Sequence, residues 1–190
     1  MESALYDFAE AAMGKNTQLS WSTNPDVLSR QVNPIFTRCA AQELTAEEAL
    51  DVALDFVTVR VNNLLEVFTD LYNRLASRID VQMHGVRFPA LNELEEFFLG
   101  LDGEAQWAID MEITRRELRK LFEKVYSGEY KTRTGVCVFC DTIIAKKQYY
   151  LDRIHGMCLR LAEQIEEAKK AQESEAADSG GPERMANGDE

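Results

Sequence analysis

At 190 residues the chain is long enough for one domain with a tail, and at 45% hydrophobic it can bury a core. A formal charge of −12 excludes a general nucleic-acid adhesive, which needs clustered Lys and Arg, and no run of about 18 apolar residues is present to span a membrane. Four Cys and an N-terminus without a basic start or apolar stretch lead to an expectation of reduced thiols in an intracellular, cytoplasmic setting.

Only four Pro and ten Gly interrupt long Leu-, Ala- and Glu-rich stretches, so the expected fold class is all-α, a helical bundle. In chain order, the pattern predicts a short helix from about Ser3 to Met13. Ser3 is its cap, Leu5, Phe8 and Ala12 share one face, and Gly14 stops it. Residues 15–24 read as a loop anchored by Trp21. Asn24-Pro25 and Asn33-Pro34 each set a capping side chain before a proline, which predicts two short helices near 25–32 and 34–43.

The strongest local signal is Thr45-Ala46-Glu47-Glu48, a capping box. Behind it Leu50, Leu54, Val57, Val61, Leu64, Phe68, Leu71 and Leu75 alternate in spacings of four and three. That seam packs a long helix lengthwise, either in a coiled coil between chains or in a bundle within one; the later helices supply the partners for a bundle.

Ile79 to Pro89 predicts a short extended connection. A helix follows over Leu91–Leu101, with Leu94, Phe97 and Phe98 inward. Another spans Glu104–Tyr126, restarted at Thr114 by a second Thr-x-x-Glu box. Ser127–Gly135 reads as a polar turn. The last helix is expected from near Asp141 to about Ala168, with Ile144, Lys147, Leu151, Ile154, Cys158, Leu161 and Ile165 along its seam and one Lys inside it.

The expected domains are a helical one over residues 1–170 and a disordered acidic tail over 171–190, which has no apolar period. Eight acidic against three basic residues from Glu166 onward put −5 of the charge there and −7 in the body.

Cys137 and Cys140, followed by His155 and Cys158, form a metal-like arrangement. A Cys-x-x-Cys turn with a His and a Cys on one helix face supplies four zinc ligands; alternatively the thiols are small buried hydrophobes. The densest basic cluster is Arg115, Arg116, Arg119 and Lys120. It either meets phosphates or forms a solvated face paired with Glu112, Glu117 and Glu123. The chain has no phosphate-cradling glycine loop or nucleophile elbow and only two His, so the expectation is a non-enzymatic protein without a cofactor.

Val86-Arg87-Phe88-Pro89, between Leu65-Glu66-Val67-Phe68 and Phe97-Phe98-Leu99-Gly100-Leu101-Asp102, resembles the coat proteins of rod-shaped, tobamovirus-like plant viruses. Phe56-Val57-Thr58 adds a further piece, and the likeness spans residues 25–113. It implies a helical subunit that self-associates around single-stranded RNA in a virion. Arg87 then belongs to the structural turn and, with Arg115, Arg116 and Arg119, to the RNA contacts. Glu66 and Asp102 become the subunit-contact carboxylates whose repulsion primes disassembly. The alternative is a zinc-stabilised helical adaptor that binds a helix of another protein through its seams.

Overall fold

The computed structural model describes residues 1–13, 15, 24–101 and 103–179. Its regular elements among those residues are seven α-helices: α1 (Glu2–Ala12), α2 (Pro25–Ala40), α3 (Ala46–Gln82), α4 (Pro89–Phe98), α5 (Gly103–Ile109), α6 (Met111–Tyr126) and α7 (Thr132–Ser179). The expected all-α bundle is what forms. Gly14 and Trp21 lie outside the described residues, as do Asp102 and the tail beyond Ser179.

Local chemistry sets most helix starts. Thr45 and Glu48 close the predicted capping box at α3, with Thr45 N–H donating to Glu48 Oε2 at 2.8 Å and Glu48 N–H to Thr45 Oγ1 at 3.2 Å. Asn24 caps α2 through Asp26 N–H at 2.9 Å, ahead of Pro25. α1 starts at Glu2 rather than after Ser3, whose side chain does not cap it. Asp110, not Thr114, starts α6: its carboxylate accepts from Glu112 N–H at 2.7 Å and Ile113 N–H at 3.1 Å, while Thr114 is buried. The connection between α3 and α4 is confined to residues 83–88. Gly85 there takes a positive φ, and Phe88 is buried ahead of Pro89.

Two expected breaks do not occur. Pro34 sits inside α2, because Leu28, Val32, Ile35, Phe36 and Cys39 form one buried face that runs through it. Gly135 lies inside α7, which begins at Thr132 rather than near Asp141. A Cβ at Gly135 would stand 2.7 Å from Val125 Cγ2 and 2.8 Å from the Phe36 ring, so glycine there permits close packing rather than a turn. At its other end α7 runs on through Ser179, past the expected limit near Ala168. The Ala-, Glu-, Lys- and Gln-rich sequence has high helix propensity, and residues 171–175 are exposed.

Two cores result. The first gathers Val32 and Phe36 of α2, Leu50 and Leu54 of α3, Leu118 and Phe122 of α6, and Phe139 of α7. Phe36 stacks on Phe122 with centroids 4.6 Å apart. The second gathers Phe8 of α1, Phe68, Leu71 and Leu75 of α3, Leu94 and Phe97 of α4, and Ile154, Leu161 and Ile165 of α7. Both long helices enter the first core with their N-terminal parts and the second with their C-terminal parts, so they run in the same direction through the molecule. α4 is fixed to α7 by Arg160 with Glu93 and by Ala90 N–H donating to Gln164 Oε1 at 3.2 Å.

Candidate functional site

The predicted zinc ligands do not converge. Cys137, Cys140, His155 and Cys158 all lie on the single helix α7, and Cys140 and His155 are separated by about 22 Å of helix rise. The Cys-x-x-Cys segment is helix rather than turn, so its two thiols cannot share an ion with the pair downstream. Cys140 and Cys158 are buried, and burial pushes their pKa values up to about 11 and about 12. Burial raises that of Cys39 as well.

The α6 arginines are drawn into carboxylates. Arg115 Nη2 is 2.5 Å from Asp51 and Nη1 2.9 Å from Glu47, and Arg119 reaches Glu47 at 3.5 Å. The hydrogen bond that Arg115 donates to Asp51, with the charges of Asp51, Glu47 and Glu112, holds the Arg115 pKa above its ordinary value. Arg116 is exposed and donates to the Glu112 carbonyl. Arg87 is exposed in the α3–α4 connection, at the second core, whereas α6 packs into the first; the arginines therefore do not form one stripe. Glu66 is exposed on α3, and its proposed partner Asp102 lies outside the described residues.

A different constellation occupies the junction between the cores. There a cavity of about 30 Å³ sits in a recess of about 520 Å³ of atom-free space, its open mouth included. Apolar walls come from Leu28, Val57, Val61, Leu64, Ile109, Met111 and Ile143. Into this lining project Arg60 from α3 and Lys146, Lys147 and Tyr150 from α7. Arg60, 5% exposed, donates to Gln31 of α2 and lies over the Phe56 ring at 4.2 Å. Burial draws its pKa below the usual guanidinium value.

Lys146 is satisfied. Its ammonium is 2.9 Å from Glu117 Oε2, donates to the Trp107 carbonyl at 2.7 Å and lies over the indole at 4.3 Å. Trp107 Nε1 donates to the other Glu117 oxygen at 3.0 Å, which closes the contact among α5, α6 and α7.

Lys147 and Tyr150 are not satisfied. The Lys147 Nζ and Tyr150 hydroxyl are shielded from solvent and have no hydrogen-bond partner among the described residues. Burial first, then the Arg60 charge, pulls the Lys147 pKa down to about 7, and burial pushes that of the Tyr150 phenol up. Donors of positive sign in an apolar recess suit an anion. Nothing in this lining pairs a nucleophile with a base.

The Lys inside the seam of the last helix was the one sequence signal for this site. Arg60 lies three after Val57 and four before Leu64, on the same stripe, but Val61 beside it completes the apolar pattern and conceals it. Tyr150 reads from sequence as an ordinary core aromatic. No family model, curated protein or solved structure matches this chain.

Proposed function

We propose that the protein is a non-enzymatic assembly subunit that associates with copies of itself, as its resemblance to rod-shaped virus coat proteins implies. The observation that carries this reading is the Leu99-Gly100-Leu101 turn. Leu99 is 67% and Leu101 70% exposed, flanking a glycine at positive φ, where turn chemistry favours polar residues. Val52 and Val59, seven positions apart on the outer side of α3, leave a second apolar strip in solvent. The raised pKa values of Cys39, Cys140 and Cys158 further support a role other than thiol catalysis.

Single-stranded RNA is the second partner that the resemblance supplies. To meet phosphates, Arg115 and Arg119 must leave Glu47 and Asp51, so RNA binding at α6 competes with an existing ion-pair cluster. Among the described residues no ion pair holds Arg87 or Arg116.

Light scattering and negative-stain microscopy of the full-length protein at about pH 5.5 and about pH 7.5 test self-assembly. The expected result is discs or rods that grow as the pH falls. A double variant, Leu99→Asp with Leu101→Asp, should abolish them while its far-UV spectrum stays helical. A monomer or dimer at both pH values overturns the reading.

A further inference from the structure

Independently of how the protein assembles, we propose that the cavity between the two cores binds a small monocarboxylate with an apolar body, its head between Lys147 and Tyr150. Those two side chains stand one helical turn apart on one face of α7, and both line the cavity. Tyr150 is 1% exposed, and its hydroxyl meets no acceptor or donor among the described residues. The Lys147 ammonium is shielded from water and likewise has no partner. Two buried polar groups without a partner among the described residues, both on side chains that line one cavity, are rare in folded proteins, where such groups are nearly always paired.

Charge fixes the sign of the ligand. Arg60 brings positive charge to the lining and Lys147 does so once protonated, while Glu117, which neutralises Lys146, is already held by Lys146 and Trp107. Size fixes the head group. About 30 Å³ accommodates one or two water-sized groups, which suits a carboxylate and not a nucleotide or sugar phosphate. Geometry adds that a carboxylate offers two coplanar acceptors, one for the ammonium and one for the phenol. Most of the remaining wall is apolar, including Val61, Leu64, Ile109 and Ile143, and it opens into the larger recess, so the rest of the ligand is a hydrocarbon chain.

Isothermal titration of the full-length protein with sodium octanoate tests the site. The comparison ligands are 1-octanol, sodium acetate and sodium phosphate, and the variants are Lys147→Met and Tyr150→Phe. Octanoate is expected to bind once per chain and saturably, with octanol and phosphate about tenfold weaker or more. Lys147→Met should weaken octanoate about tenfold or more, the scale of a lost charge-assisted hydrogen bond. Tyr150→Phe, which keeps the ring packing and removes only the hydroxyl, should weaken it severalfold. Absence of saturable octanoate binding overturns the proposal. So does octanol binding as well as octanoate, which marks simple partition into an apolar recess, and so does octanoate affinity unchanged in both variants. Phosphate binding tighter than octanoate also overturns it, in favour of an inorganic anion site.

Discussion

Lys147 shows how one residue couples the fold to pH. With its folded pKa at about 7, it is depressed from the ordinary ammonium value of about 10.4 that the unfolded chain keeps. Between those values the unfolded chain holds a proton that the folded chain lacks, so stability rises with pH across that window. Below about pH 7 the ammonium is charged in both states and the fold carries the whole cost of burying it. The groups facing it are Arg60 from α3, Tyr150 one turn along α7, and Lys146, whose charge Glu117 balances. Lys147→Met removes the charge and keeps most of the volume. It should stabilise the ligand-free protein by about 1–4 kcal/mol at about pH 6, with the gain shrinking towards zero near pH 10.4. Urea denaturation across that range measures it; a pH-independent gain, or a loss, contradicts the assigned burial of the ammonium.

At the scale of elements, the contest is between local signals and packing. Pro34 removes one backbone donor from the interior of α2 and sets its ring against the preceding turn, at a cost of about 3 kcal/mol in a helix interior. The helix continues because Val32, Ile35, Phe36 and Cys39 are buried on one face of it in the first core. Pro34 itself is exposed, so Pro34→Ala should restore the missing donor without leaving a hole. The expected gain is about 1–3 kcal/mol, seen as a higher urea midpoint at unchanged slope. An unchanged midpoint would mean that the proline's restriction of the unfolded chain offsets its helix cost. The same contest explains what was legible beforehand. The start of α3 and its seam could be read because capping chemistry and apolar period agree there. The start of α7 could not, since Gly135 signals a turn locally and only the approach of Phe36 and Val125 reveals why a glycine is needed. The turn that the zinc alternative needs at Cys137 and Cys140 is absent for the same reason: once α7 starts at Thr132, their spacing is helical. The cavity was legible only as one Lys in an apolar seam, because Tyr150 one turn on has the pattern of a core aromatic and Arg60 comes from a distant helix.

At the scale of the whole molecule, charge bears on the proposed self-association. The chain carries −12 and has a pI of about 4.7, so at neutral pH each subunit repels the next while Leu99 and Leu101 offer apolar contact. Acidification weakens that repulsion by protonating carboxylates. Salt weakens it without changing protonation, because the Debye length falls from about 30 Å at 0.01 M to about 3 Å at 1 M. If repulsion is the barrier to self-association, particle size at about pH 7.5 should increase with salt just as it should with acid. Assembly driven by RNA responds in the opposite sense, since phosphate contacts weaken steeply as salt rises. Light scattering across a salt series, with nuclease-treated protein alone and with added single-stranded RNA, separates the two. Growth with salt in the RNA-free sample assigns assembly to the apolar contacts. Particles seen only with RNA and dissolved by salt assign it instead to the arginines, with Arg87 and Arg116 the first to replace.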